Sequence, residues 1–128
     1  DEATALVERA VALRRSISGQ QFLQTLTDRN QPYHDRDMYV FALDGVGTYR
    51  AFGGNPAKIG TRVQDIPGIA GDQLVHDIIT QAERGPGWVE YDITNPATGM
   101  VQTKMSFVQQ VDNWYVGCGV YKALAARS

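Results

Sequence analysis

With 128 residues, 43% of them hydrophobic and 20% charged, the chain has the size and make-up of one domain that can bury a core without staples. A formal net charge of -2, with the basic residues scattered, removes the electrostatic case for a nucleic-acid partner. The single cysteine, Cys118, permits neither an internal disulfide nor a multi-cysteine metal site, which fits a cytosolic or bacterial periplasmic setting and argues against a disulfide-rich secreted fold.

Leu6, Val7, Ala10, Val11 and Leu13 recur at helical spacing and predict a helix from about Ala3 to Ser16. Leu6, Val7, Ala10, Leu13 and Ile17 exceed what one helix face needs to cover a sheet, which predicts an exposed apolar strip and weak self-association. Gly19 breaks the pattern. A second helix follows to about Asp28, with Phe22, Leu23 and Leu26 on one face, and Asn30-Gln-Pro-Tyr33 ends it. Asp28, Arg29, Asp35, Arg36 and Asp37 read as a solvated charged linker.

Met38 to Asp44 is rich in aromatic and β-branched residues and predicts a strand. Asp44-Gly-Val-Gly47 is a turn signal, and Thr48 to Phe52 returns as a second strand. Gly53 to Gly71 holds repeated glycines with Pro56 and Pro67, and reads as a long loop with at most a short helical piece near Val63 to Ile66. Loops of that length in compact domains are often binding loops. Asp72 is positioned to cap a helix to about Glu83, with Leu74, Val75, Ile78, Ile79 and Ala82 as its apolar stripe and Arg84-Gly-Pro-Gly87 as its stop. Trp88 to Ile93, Thr103 to Val111 and Trp114 to Tyr121 predict three more strands. Asn95-Pro-Ala-Thr-Gly99 and Asp112-Asn113 connect them. The chain closes on Lys122-Ala-Leu-Ala-Ala-Arg-Ser128, which reads as the first turns of another helix, and no apolar run approaches the ~20 residues of a membrane span.

Helix, helix, strand, strand, helix and a three-stranded meander is not the alternation of a parallel α/β fold. It predicts an α+β domain: a five-stranded antiparallel sheet with helices on one side.

Several segments together carry a resemblance. They are Tyr39-Val-Phe-Ala-Leu-Asp44, Asn55-Pro-Ala-Lys-Ile-Gly60, Gly87-Trp-Val-Glu-Tyr91, Asn95-Pro96, Thr98-Gly99, Lys104 and Trp114-Tyr-Val-Gly-Cys-Gly-Val-Tyr121. From roughly Ala3 to Tyr121 the chain resembles the single-Cache, PAS-like sensor domains of bacterial chemoreceptors and sensor kinases. The resemblance implies one ligand-sensing domain over residues 1–128, with N-terminal helices to residue 30 and a sheet core over 37–121. It implies a periplasmic location between two membrane helices, a homodimeric receptor whose isolated domain is a monomer or weak dimer, and no cofactor. It also implies a small-molecule ligand, often a short carboxylate, held on the sheet face away from the N-terminal helix. Where the family often has His-Pro before the Asn-Pro loop, this chain has Phe52-Gly53.

Strand alternation puts Lys104, Ser106 and Val108 on one face and Met105 and Phe107 on the other. A lysine in mid-sheet calls for a partner, and a bound carboxylate supplies one through a charge-assisted hydrogen bond. With the resemblance, Lys104 and Ser106 become candidate ligand contacts; a solvent-facing lysine on an edge strand is the bland alternative. Tyr39, Phe41, Trp88 and Tyr91 suit an apolar pocket with a few polar tips, although Phe41 and Trp88 are equally expected as plain core. Arg50, on the face of Phe52 by alternation, suits bidentate carboxylate binding, with an exposed strand arginine as the alternative. Both Arg50 and Phe52 are therefore candidates.

Cys118 reads as a small buried hydrophobe, and His34 and His76 as isolated residues outside any metal constellation. The expectation is a non-enzymatic sensor of a chemoreceptor. The rivals are the sensor domain of a histidine kinase, a small enzyme using Cys118 as nucleophile or Lys104 as a Schiff base, and a cytosolic PAS-like interaction domain.

Overall fold

A computed structural model describes residues 2–36, 38–94 and 97–122. The helical turns expected after Lys122, the Asn95-Pro96 half of its turn and Asp37 of the charged linker lie outside the described residues.

Helix α1 spans Glu2–Arg14 and α2 spans Gly19–Thr27. What the sequence marked as a break at Gly19 is a built helix start. The Ser18 hydroxyl accepts a hydrogen bond from the Gln21 amide at 3.2 Å, while the Ser18 amide donates to the Gln21 side chain at 3.4 Å. Such a capping box satisfies two amides that the helix itself cannot. Ser18→Ala should lower stability by about 1 kcal/mol, or about 4 °C in melting temperature. Urea titration followed by circular dichroism checks this, and an unchanged midpoint would show that the cap contributes nothing.

The strands are β1 (His34–Asp35), β2 (Met38–Leu43), β3 (Tyr49–Phe52), β4 (Gly87–Thr94), β5 (Val101–Val111) and β6 (Trp114–Tyr121). All pairings are antiparallel. The sheet runs β1-β2-β6-β5-β4, with β3 also on β2. It has six strands rather than the expected five, because the two-residue β1 folds back on the start of β2. The meander arises from its predicted turn: Asp112 takes a φ of 56°, which a tight two-residue hairpin requires.

Period-two alternation divides the sheet into two cores. Met38, Val40, Ala42, Val116 and Cys118 face α1 and α2, meeting Leu6, Val7, Ala10, Phe22 and Leu26. Phe41, Leu43, Val89, Val108 and Tyr115 face the other way, against Leu74, Val75, Ile78 and Ala82 of α3 (Gly71–Arg84). Helices therefore cover both faces, not one, because each strand of the meander carries apolar side chains on both sides and each side needs a partner layer.

Two further expectations give way. Leu6, Val7 and Ala10 are buried and Val11, Leu13 and Ile17 pack against the same core, so the described α1 offers Ala5, Glu8, Arg9 and Ala12 outward instead of an apolar strip. Asp72 does not cap α3: the cap position is Ala70, with no side-chain bond. Asp72 lies in the first turn, where its charge complements the helix dipole.

Only part of the second face lies under α3. The half formed by the C-terminal ends of β4 and β6 is roofed by the segment from Gly53 to Ala70, which contains two short 3-10 turns, Pro56–Lys58 and Val63–Asp65.

Candidate ligand-binding site

Between the sheet and this roof lies a cavity of about 780 Å³, on the face opposite α1. The sheet contributes Tyr39, Tyr49, Phe52, Tyr91, Ile93, Gln102, Lys104 and Tyr121. The roof contributes Lys58, Thr61, Arg62, Val63, Asp65, Ile66, Pro67 and Ile69, and α3 adds Leu74. An apolar cleft of this size with a few convergent polar groups is the usual build of a small-molecule site.

The floor owes its depth to Gly119. A Cβ there would stand 2.9 Å from Ser106 Oγ, 3.4 Å from Tyr91 Oη and 3.5 Å from Lys104 Cε. With no side chain on β6 at that point, three polar side chains converge where a larger residue would separate them. The Tyr91 hydroxyl and Ser106 Oγ share a hydrogen bond of 3.1 Å.

Lys104 is only 7% exposed. Its ammonium sits 5.0 Å from the ring centre of Tyr121 and 5.6 Å from that of Tyr39, so the faces of two tyrosines offset part of the cost of taking it out of water. The pairing of β5 with β6 places Tyr121 directly opposite Lys104. Tyr39 in turn stacks on Phe52 at 4.1 Å, and Tyr49 meets Phe52 edge-on at 5.0 Å. Burial raises the phenol pKa of Tyr39, Tyr49 and Tyr91; for Tyr91 the bond from Ser106 pulls the other way. These tyrosines are therefore neutral donors at neutral pH, and the floor presents them beside the ammonium of Lys104.

The roof is tied in its middle and near its C-terminal end. Tyr49 donates its amide to Thr61 O at 2.9 Å and Gly60 donates to Tyr49 O at 2.9 Å, which hangs the segment on β3. Thr94 donates to Gly68 O at 2.8 Å, which latches the segment to the end of β4.

Of the residues singled out from sequence, Tyr39, Phe52, Tyr91 and Lys104 come together around the cavity. Ser106 is fully buried beneath it and reaches it through Tyr91. Phe41 is on the same face but lies deeper, edge-on to Tyr49 and against Gly117. Trp88 faces the opposite side, edge-on to Phe107 in the core under α1. Arg50 is exposed and does not line the cavity. The reason is a bulge: Ala42 pairs with Ala51 and Leu43 with Tyr49, so Arg50 is the extra residue. The bulge shifts the alternation by one, putting Tyr49 rather than Arg50 on the face of Phe52.

Sequence reasoning missed Tyr49, Lys58, Arg62 and Tyr121. Tyr121 could have been found by pairing the Gly117-Cys-Gly-Val-Tyr121 strand against Lys104. The roof residues follow no period, so nothing local marks them.

Cys118 is fully buried on the α1 side of β6, and burial pushes its thiol up to about 11, against a smaller pull from the Tyr39 backbone and from the charge of Lys104. Among the described residues no group of three or more His, Cys, Asp or Glu is placed to hold a metal, and no helix is long and apolar enough to cross a membrane.

An antiparallel sheet with an N-terminal helix on one face and a roofed, aromatic cavity on the other defines a PAS-like sensory domain. The chain belongs to the single Cache domain 2 family, whose model matches residues 2–123. It is similar to a solved periplasmic sensor domain of a chemotaxis protein, with 27% identity, a TM-score of 0.62, and coverage of 94% of this chain and 88% of that one. A Cache chemosensory domain solved for its carboxylic acid recognition shares the fold, with 21% identity, a TM-score of 0.59, and coverage of 94% and 86%. Over 90 residues the chain is 31% identical to the sensor histidine kinase MctS of Rhizobium johnstonii. That match takes in 69% of this chain but only 20% of the kinase, so the chain spans about one fifth of the length of that curated relative.

Proposed function

We propose that this domain is the extracytoplasmic sensing module of a transmembrane chemoreceptor, that it binds a short organic acid without turning it over, and that Lys104 and Tyr91 are the principal contacts. The observation that carries this reading is the buried ammonium of Lys104, held between two tyrosine faces at the floor of a roofed cavity. A carboxylate there gains a charge-assisted hydrogen bond in surroundings that shield it from water. The buried, weakly acidic thiol of Cys118 is a poor nucleophile, which supports binding over catalysis.

Signalling follows from where the cavity lies. Tyr121 and Gly119 of β6 border the site, and the other face of β6 packs on α1. Ligand that favours one arrangement of roof and floor can shift β6 against α1, by no more than its differential affinity for the two states. The receptor carrying the domain is a homodimer in this reading, with the isolated domain monomeric or weakly associating. The identity with MctS supports a second reading of the output, a histidine kinase in place of a chemotaxis module. The sensing step is the same in both.

Screening acetate, propionate, lactate and pyruvate by thermal shift tests the proposal. A ligand at a hundred times its dissociation constant adds about 2.7 kcal/mol, a rise on the order of 10 °C for a domain of this size. If no carboxylate raises the melting temperature beyond a chloride control, the carboxylate reading fails.

A further inference from the structure

We propose that the cavity selects a dicarboxylate, one end on Lys104 at the floor and the other on Lys58 and Arg62 in the roof. This rests on the carboxylate reading and sharpens it.

The first argument is charge. Three cationic side chains, Lys58, Arg62 and Lys104, line the cavity against one carboxylate, Asp65. In a chain of net charge -2, two of these cations, Lys58 and Arg62, lie together in the roof. Among the described residues neither Lys58, Arg62 nor Asp65 enters an ion pair, so Asp65 does not neutralise its neighbours directly. A monocarboxylate on Lys104 supplies no anion to Lys58 and Arg62, and the second carboxylate of a diacid does.

The second argument is size. Acetate has four heavy atoms and fills roughly 120 Å³ at about the ~30 Å³ that a liquid water occupies. The cavity measures about 780 Å³. An acid that small on Lys104 leaves the roof cations unmet.

The third is placement. Lys104 is on β5 in the sheet, whereas Lys58 and Arg62 are in the segment that covers it. Arg62 is held at its base, because its backbone bridges to Thr48 and the next amide, of Val63, donates to Gly47 O at 2.9 Å. From that fixed backbone the guanidinium can present the fork that a carboxylate accepts in bidentate fashion. Phe52, Ile66 and Ile69, also on the lining, suit the methylene carbons between the two ends.

Length-matched pairs separate the second anion from chain length. Isothermal titration of the 128-residue chain with butyrate against succinate, and with valerate against glutarate, should show the diacid binding at least tenfold tighter in one pair or both. In the double variant Lys58→Gln, Arg62→Gln, at two residues that are exposed as well as lining the cavity, that ratio should fall to about one; circular dichroism confirms the fold. A wild-type ratio near one in both pairs overturns the proposal, as does a ratio that survives the double substitution. If the monoacids bind in a Lys104-dependent manner and the diacids gain nothing, the dicarboxylate inference fails alone. If no acid of either kind binds, it fails together with the carboxylate reading.

Discussion

Lys104→Met is expected to abolish carboxylate recognition while leaving the fold intact. Methionine keeps a long unbranched stem against Tyr39 and Tyr121 and removes the charge. The unliganded domain loses two cation–π contacts but no longer has to desolvate an ammonium, and these changes oppose each other. A hydrogen bond to a charged group contributes about 1.5–3 kcal/mol, so the dissociation constant should rise by roughly 10- to 150-fold. A ligand concentration that stabilised the wild type by about 2.7 kcal/mol then stabilises a variant weakened a hundredfold by only about 0.4 kcal/mol. The melting shift falls from about 10 °C to about 2 °C. A variant that keeps the full shift with the same acid would remove Lys104 from the site.

Gly68→Ala should weaken binding from outside the ligand's reach. Gly68 has a φ of 84°, where an alanine is strained by about 1–2 kcal/mol. A Cβ at this position would stand 2.0 Å from Thr94 O, a backbone atom that cannot swing aside. The alanine can be accommodated only if the segment leaves β4, and Ile66, Pro67 and Ile69 leave the lining with it. If the closed roof falls to about a tenth of the population, the apparent dissociation constant rises about tenfold. Because Gly68 is an exposed residue in a surface segment, global stability should fall by no more than about 3 kcal/mol. Hydrogen exchange at the Thr94 amide, which donates to Gly68 O, reports the latch directly. Wild-type protection of that amide together with wild-type affinity would show that the roof closes without the latch.

The family and the fold class were legible because both depend on local signals. Glycine and proline punctuated the strands, alternation divided Lys104 and Ser106 from Met105 and Phe107, and Asp112-Asn113 closed a hairpin as two-residue loops do. The candidate site was half legible for the same reason: Tyr39, Tyr91 and Lys104 occupy regular strand positions, and they line the cavity.

Arg50 and Tyr49 show where counting stops. One inserted residue in β3 exchanged which of them faces the cavity, and the insertion is defined only by pairing with β2. Trp88 shows a related limit. Alternation within β4 separated it from Val89 and Tyr91, but only the packing of the two helix layers decided which of the two faces held the cavity. Phe52 shows the limit again, because its stacking on Tyr39 is a contact between two strands.

What the sequence determined by itself is the longer helices and strands, the turns between them and the alternation of the regular strands, since these follow from backbone sterics and hydrophobic period within a few residues. What the tertiary structure decided is which face became a cavity and what closes it. Lys58, Arg62 and Gly68 lie in a segment without period, and their roles come from hydrogen bonds to β3 and β4, whose partner residues stand 11 to 26 positions away along the chain. Such bonds are set by where the chain returns in space, and no short window of sequence encodes that.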